Sequence, residues 1–124
     1  MAYSKEYHRS YYLKNRAKAL GDAKAYREKN LARVRSGKLQ ASYGISLSDY
    51  ERMSRQQNGV CAICRRPEQS VRLGKRRILA VDHDHKTEAV RALLCHKCNS
   101  VLGYMDDDPM RLRAAADYLE KHGV

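Results

Sequence analysis

The sequence predicts a small α+β domain with a four-cysteine structural zinc site, flanked by helices and preceded by a basic helical arm. Three observations support this class. Two Cys-x-x-Cys pairs are separated by 30 residues, short apolar runs with turn residues accompany them, and a helix-forming segment without proline opens the chain. The 124 residues include no Trp and no Phe, so the core lacks its largest side chains. A small domain with so modest a core often needs a metal or another staple.

The first predicted element is a helix over residues 4 to 36, bent or broken near Gly21. Ala, Lys, Arg, Glu and Leu dominate this segment, and all five are good helix formers. Tyr3, Tyr7 and Tyr11 recur every four residues, so they share one face of the helix. Gly37 and then Tyr43-Gly44 mark a linker. We therefore expect a basic arm over residues 1–42, serving DNA contact or dimerisation, and a zinc-stabilised domain over residues 43–124.

The arm carries most of the positive charge. Of the net +11, residues 1–40 contribute +8, from 11 Lys and Arg against 3 acids. Such a charge favours a polyanionic partner, above all DNA, whose phosphates the basic side chains would meet. The alternative is a solvated helix that packs its tyrosines on the domain. The candidate DNA-binding residues of the arm are Arg9, Lys14, Arg16, Lys18, Arg27, Lys29 and Arg33.

The remaining helices are predicted from their caps. Ser48 and Glu51 fit a capping box, and Asn58-Gly59 ends that short helix. Another helix begins within residues 95–98 and carries Asn99. The last helix starts after an acidic cap with Pro109 at its first position, and ends near Gly123.

Two short strands are predicted between the cysteine pairs. Residues 78–81 and 89–94 are rich in Val, Ile, Leu and Ala, and the polar residues 83–88 between them form a hairpin loop. No apolar run approaches the roughly 18 residues that span a bilayer, and no signal-peptide pattern opens the chain. We expect no membrane partner and a cytoplasmic location.

The cysteines predict one closed zinc site. In a reducing compartment, paired cysteines are more often metal ligands than disulfides or redox thiols. Cys61 with Cys64, and Cys95 with Cys98, form two pairs that together complete a tetrahedral four-thiolate site. His96 lies inside the second pair, whose cysteines suffice, so we interpret it as a non-ligand.

The polar groups of residues 81–99 are then left for a second site. A carboxylate, an amide oxygen and an imidazole suit a hard divalent ion such as Mg²⁺ together with a general base. Phosphodiester hydrolysis needs both parts, since water must be deprotonated and the leaving oxygen stabilised. Asn99 directly follows the last zinc ligand, so the zinc site would hold it in place.

These residues carry a family resemblance. Cys-x-x-Cys, then Val-Asp-His-Asp-His, then Val-Arg-Ala-Leu-Leu-Cys-x-x-Cys-Asn and Leu-Gly resembles the recombination endonuclease VII family, which belongs to the HNH or His-Me finger nucleases. The resemblance covers about residues 43–122 and is strongest over 61–103. It implies that residues 78–103 form a ββα-metal finger, that His83 is the general base, and that Asp82 and Asn99 bind a catalytic Mg²⁺ or Mn²⁺.

The roles of several neighbouring residues can be interpreted in two ways. His85 orients the scissile phosphate or assists the base, or it only stabilises the loop. Arg91 reaches a phosphate or forms a cross-strand ion pair, and Asp84 anchors the loop. Some family members have an acidic residue where this chain has Leu102. Asp106 and Asp107 are possible substitutes for it, although helix capping suits them better.

The predicted function is a metal-dependent DNA endonuclease, phage-encoded or prophage-derived, acting in the host cytoplasm. The alternative is a non-catalytic zinc DNA-binding module on the same scaffold. The sequence leaves open whether the substrate is branched or duplex DNA, and whether one strand is nicked or both are cut. Paired cuts would favour a homodimer.

Overall fold

The computed structural model describes residues 3–124, which divide into two compact units with the boundary between Leu47 and Ser48. The described residues form five helices and two small antiparallel sheets, so the predicted small α+β class is confirmed. In chain order the elements are α1 (Lys5–Lys29), α2 (Leu31–Tyr43), α3 (Leu47–Gln56), β1 (Val71–Arg72), β2 (Lys75–Arg76), β3 (Ala80–His83), β4 (Val90–Leu94), α4 (His96–Tyr104) and α5 (Pro109–Lys121). None of the described helices combines the length and apolar character that crossing a bilayer requires.

The N-terminal unit is built from α1 and α2, and the predicted break near Gly21 is wrong. Gly21 lies inside α1, because one glycine costs a helix only about 1 kcal/mol and its neighbours are strong helix formers. The interruption falls at Asn30, whose side-chain amide donates to the Tyr26 carbonyl at 2.9 Å. Gly37 is also helical, and the helix ends at Gly44 with a left-handed φ of 69°.

Neither helix of this unit buries a residue. The tyrosine stripe is present as predicted, with ring centroids 4.4 Å apart for Tyr3 and Tyr7 and 6.4 Å apart for Tyr7 and Tyr11. Because the described residues of this unit bury no core, its helicity rests on local propensity and contacts of this kind.

In the second unit, two side chains attach α3 and the turn after it to the sheet region. The Tyr50 hydroxyl donates to the Leu79 carbonyl at 2.6 Å. The Gln57 amide donates to the carbonyls of Val60 and Leu93 and accepts from the Leu93 amide, each at 2.9 Å. Gln57 therefore pairs with β4 much as a neighbouring strand would.

The β3–β4 hairpin supplies much of the buried core. Leu79, Val81, Leu93 and Leu94 are buried, and a leucine or valine contributes about 1.5–3 kcal/mol on full burial. The strands are β3 at residues 80–83 and β4 at residues 90–94, so the first lies two residues later than the predicted 78–81 and the second begins one residue later than predicted.

The pairing register of this hairpin shifts at one place. Asp82 pairs with Ala92 and His83 pairs with Val90, so Arg91 is the extra residue on β4. A bulge of this kind redirects the side chain of the extra residue. Here the extra residue, Arg91, forms an ion pair with Asp82 on the facing strand.

The last two helices begin as predicted. The Cys95 thiol caps α4 by accepting from the Cys98 amide at 3.4 Å. Asp108 caps α5 by accepting from the Met110 amide at 2.9 Å, with Pro109 as the first helical residue. Since α4 contacts β3, the helix that carries Asn99 lies against the strand that carries Asp82 and His83.

Candidate functional site

The four cysteines converge as predicted. Their sulfur atoms all lie within 4.8 Å of one another, and Cys61 and Cys95 are buried. The sulfurs of Cys64 and Cys95 are 3.8 Å apart, which matches the edge of about 3.8 Å that a tetrahedron with Zn–S bonds of about 2.3 Å requires. Within residues 3–124 this is the one grouping of three or more Cys, His, Asp or Glu ligands at such distances.

Backbone hydrogen bonds position the first pair of thiols. The Cys61 amide donates to the Arg66 carbonyl at 2.9 Å, and the Ile63 amide donates to the Cys61 sulfur at 3.4 Å. Arg65 takes a positive φ of 60° to close this turn. The Ala62 amide donates to the Leu93 carbonyl at 3.1 Å, so the turn is attached to β4, two residues before Cys95.

The thiols differ in how readily they ionise. Burial opposes ionisation of Cys61, but backbone hydrogen bonds from Cys95, Cys64 and Ile63 outweigh it and lower its pKa to about 6. Burial and the neighbouring cysteines raise the pKa of Cys98 to about 12, and burial raises that of Cys95. The Cys61 thiolate therefore forms easily, whereas a metal must displace the protons of Cys95 and Cys98.

A buried carboxylate that the sequence did not predict supports the second pair. Glu68 accepts from the His96 amide at 2.7 Å and from the Ser70 amide at 2.9 Å. Burial opposes ionisation of Glu68, but these amides outweigh it and lower the pKa of the carboxyl. Glu68 thus places a negative charge at the N-terminus of α4, where the helix dipole favours it. No pattern near residue 68 indicated this role.

Asp82, the first predicted metal ligand, is buried and paired with Arg91. The Arg91 guanidinium donates to both Asp82 oxygens, at 2.6 and 3.0 Å, and to Asp107 at 3.3 Å. Hydrogen bonds to Asp82 raise the pKa of Arg91. Of the two interpretations of Arg91, the structure contains the cross-strand ion pair, which the bulge in β4 makes possible.

The histidines lie at the end of β3. The rings of His83 and His85 have centroids 4.8 Å apart, with His83 half-buried and His85 exposed. The carboxylate of Asp84 accepts from the amides of Lys86 and Thr87 at 2.7 and 3.0 Å, which lowers its pKa. Asp84 therefore anchors the loop, as predicted.

Asn99 lies in the first turns of α4 and is half-buried. Its backbone amide donates to the Cys95 carbonyl at 3.0 Å. It directly follows Cys98 of the cysteine cluster, and α4 contacts the strand that carries Asp82. The structure therefore places Asn99 and Asp82 on two contacting elements.

A groove of about 530 Å³ opens beside the hairpin loop, lined by Asp84, His85, Lys86, Arg91, Gly103, Asp106 and Asp107. Asp106 and Asp107 do not cap α5, because Asp108 does. Asp106 instead pairs with Arg111 at 2.7 Å, and Asp107 pairs with Arg91. Leu102, which stands where some family members have an acid, is half-buried.

The predicted basic residues of the arm are all exposed: Arg9, Lys14, Arg16, Lys18, Arg27, Lys29 and Arg33. They belong to the N-terminal unit, whereas Arg91 belongs to the second. The sequence interpretation missed a further basic element, the β1–β2 hairpin. The signal that could have revealed it is the Leu73-Gly74 turn between basic residues.

Comparisons with known proteins agree with the sequence resemblance. The Gene 59 protein of Mycobacterium phage D29 is 45% identical over 85 residues, which cover 68% of this chain and 48% of the relative. The Gene 59 protein of Mycobacterium phage L5 is 41% identical over 83 residues, which cover 66% of this chain and 48% of the relative. The chain thus spans about half the length of these curated relatives, whose names state no activity. No solved structure matches significantly.

A family profile covers most of the chain. The profile described as Recombination endonuclease VII matches residues 36–121, which include the four cysteines and residues 82–99. The match extends over more than half of the 124 residues. The chain belongs to the recombination endonuclease VII family.

Proposed function

We propose that this protein is a metal-dependent DNA endonuclease that hydrolyses phosphodiester bonds. Membership of the endonuclease VII family carries the proposal. The cysteine cluster and the position of Asn99 next to it supply the physical support. A rigid metal site is a good support for catalytic groups that must be held within a fraction of an ångström.

Zinc is the ion that the four thiols suit. Four thiolates complete a tetrahedral zinc site, so no position is left for a substrate, and the 3.8 Å between the sulfurs of Cys64 and Cys95 matches that geometry. We assign zinc a structural role, in which Cys61, Cys64, Cys95 and Cys98 join the start of the second unit to α4.

Asp82 and Asn99 would hold the catalytic Mg²⁺ or Mn²⁺. Their oxygens are the hard donors that these ions prefer. Both oxygens of Asp82 accept from Arg91, but a carboxylate has about four lone-pair positions, so two remain for an ion. The bound ion would supply electrophilic stabilisation of the leaving oxygen.

In this proposal the hairpin and α4 act as a ββα-metal finger. His83 takes a proton from the attacking water, and its half-buried side chain at the end of β3 is still partly accessible to solvent. His85, whose ring lies 4.8 Å from that of His83, orients the scissile phosphate. Arg91 is 37% exposed despite its ion pair, so part of the guanidinium remains available to a phosphate.

The substrate class is DNA, in duplex or branched form, and the basic arm would contact its backbone. The seven candidate residues of the arm are all exposed, so each is able to neutralise a phosphate. Because fold does not determine substrate, branched DNA, nicking of one strand and action as a homodimer all belong to the proposal.

The proposal is tested by comparing His83→Ala with His96→Ala as a matched control. His96 is exposed, and the Glu68 carboxylate accepts from its backbone amide rather than from its ring. With zinc-loaded protein, Mg²⁺ and supercoiled plasmid, His83→Ala should cut at less than about a hundredth of the wild-type rate, since general base catalysis contributes about 10²–10⁴-fold. His96→Ala should cut normally, and both should bind DNA normally. Full activity of His83→Ala would exclude His83 as the base.

One observation favours the second candidate, a non-catalytic zinc DNA-binding module. Arg91 already neutralises the Asp82 carboxylate, and a module that only binds DNA could keep that pair for stability. A wild-type protein that retards DNA in a mobility assay but never cuts it, at any Mg²⁺ or Mn²⁺ concentration, would support this candidate.

A further inference from the structure

The β1–β2 hairpin contains a tight turn with an unusual residue. Leu73 and Gly74 connect the two strands, with φ values of 51° and 74°. Positive φ at both central residues is the pattern of a type I′ turn, which favours Asn, Asp or Gly at the first position. A leucine there is strained, because its side chain clashes with the backbone in this conformation.

The side chain of Leu73 does not stabilise the fold. It is 92% exposed, the largest exposure among the large apolar side chains that the structure describes. A single exposed leucine is common on protein surfaces. At a position where asparagine would be less strained, however, an exposed leucine gains nothing from burial to offset the cost of its positive φ.

The charges of the hairpin are also unfavourable for folding. Arg72 lies directly opposite Lys75, and like charges in this position destabilise a strand pair. Across residues 3–124, no ion pair involves Arg72, Lys75 or Arg76. The acid nearest in sequence, Glu68, is turned inward to His96. A two-stranded sheet has little stability of its own, so these costs fall on a weak element.

Local features that work against folding are expected where they serve function. We infer that the β1–β2 hairpin is a second DNA-binding element, distinct from the arm, in which Leu73 inserts against the bases. Arg72, Lys75 and Arg76 contact phosphates on either side of the groove. A two-stranded ribbon fits a DNA groove, and apolar side chains can insert as wedges between base steps. This inference rests on the proposed function and names how the second unit holds its substrate.

Leu73→Asn separates a binding role from a folding role. Asparagine suits the first position of a type I′ turn, so the variant should melt at the wild-type temperature or above it. Its dissociation constant for DNA should rise about tenfold or more, as expected when a buried leucine is lost from an interface. The assay is fluorescence anisotropy with labelled duplex and four-way junction, without divalent ions, so that no cleavage occurs.

Arg72→Gln/Lys75→Gln tests the phosphate contacts. Each contact adds about 0.9 to the slope of log affinity against log salt concentration, so the double variant should reduce that slope by about 1.8. Arg113→Gln/Lys121→Gln removes the same charge from exposed positions on α5, and it should leave the slope nearly unchanged.

Wild-type affinity in Leu73→Asn, or equal slopes for the two double variants, would overturn the inference. The inference would also be overturned if Leu73→Asn had a lower molecular mass than the wild type in light scattering and an unchanged affinity for DNA. Leu73 would then join two copies of the chain. Binding is measured apart from cleavage. A protein that binds DNA through the hairpin but never cuts would therefore contradict only the proposed function.

Discussion

Replacing Arg91 with glutamine should leave the Asp82 carboxylate buried without its cation. The Asp82 side chain is only 9% exposed, and the guanidinium meets it at 2.6 and 3.0 Å. Removing one partner of a buried pair costs about 3–5 kcal/mol. Since Arg91 is 37% exposed, solvent screens the pair, and we expect Arg91→Gln to lower the free energy of unfolding by about 2–3 kcal/mol.

Urea unfolding followed by circular dichroism, at a fixed free zinc concentration, measures this change. With a slope near 1 kcal/mol per molar urea, as small proteins have, the midpoint should fall by about 2–3 M. Arg111→Gln is the matched control. Its partner Asp106 has a side chain that is 75% exposed, although the pair is equally short at 2.7 Å, so its loss should cost less than about 1 kcal/mol.

Two further results would follow from the same reasoning. Asp82→Asn in the Arg91→Gln background should restore part of the lost stability, because it removes the unpaired charge. Mg²⁺ should stabilise Arg91→Gln more than the wild type, because the ion supplies the missing positive charge near Asp82. Equal losses in Arg91→Gln and Arg111→Gln would refute the argument from burial.

Three other changes test the zinc region. Zinc binding near pH 7.5 should release at least one proton, because the pKa of Cys98 is about 12, and fewer than four, because Cys61 with a pKa of about 6 is already ionised. Calorimetry in buffers of different ionisation enthalpy counts the released protons. A count of four would contradict the assignment. Because the pKa of Glu68 is lowered in the folded protein, the stability that its carboxylate contributes is complete above the pKa of the unfolded state, about 4.3. That contribution is lost as the pH falls through the pKa of the folded state. Glu68→Gln should therefore cost about 1–3 kcal/mol in urea unfolding at pH 7 and less as the pH falls below the unfolded value, and a cost that does not fall with pH would refute this. Gln57→Ala should cost about 1–3 kcal/mol in the same assay because the Leu93 amide loses its acceptor, whereas the Leu93 carbonyl keeps the Ala62 amide as a donor. A loss under about 0.5 kcal/mol would show that water replaces the side-chain amide.

The sequence was most informative where a residue type has one dominant chemistry. The spacing of the four cysteines predicted the cluster, and an acidic cap followed by Pro109 predicted the start of α5. Both signals depend on local geometry, which neighbouring residues determine. The helical break near Gly21 was mispredicted because propensity is a weak guide when strong helix formers surround a single glycine.

Pairings between residues far apart along the chain could not be predicted from the sequence. The Asp82–Arg91 pair depends on a shift in strand register, and one residue of slip reverses which side chains share a face. Glu68 reaches the α4 N-terminus across 28 residues. The β1–β2 hairpin was not predicted because basic side chains are weak strand formers, so the sequence of its strands resembled that of a loop.

The most direct test of the account is the Mg²⁺ dependence of plasmid nicking by zinc-loaded wild type and Asn99→Ala. We predict that the wild type nicks only when Mg²⁺ is added and saturates as its concentration rises, whereas Asn99→Ala nicks only at much higher Mg²⁺, with zinc content and melting temperature unchanged. Identical Mg²⁺ dependence in both proteins, or nicking by the wild type without Mg²⁺, would contradict a divalent-ion site at Asp82 and Asn99.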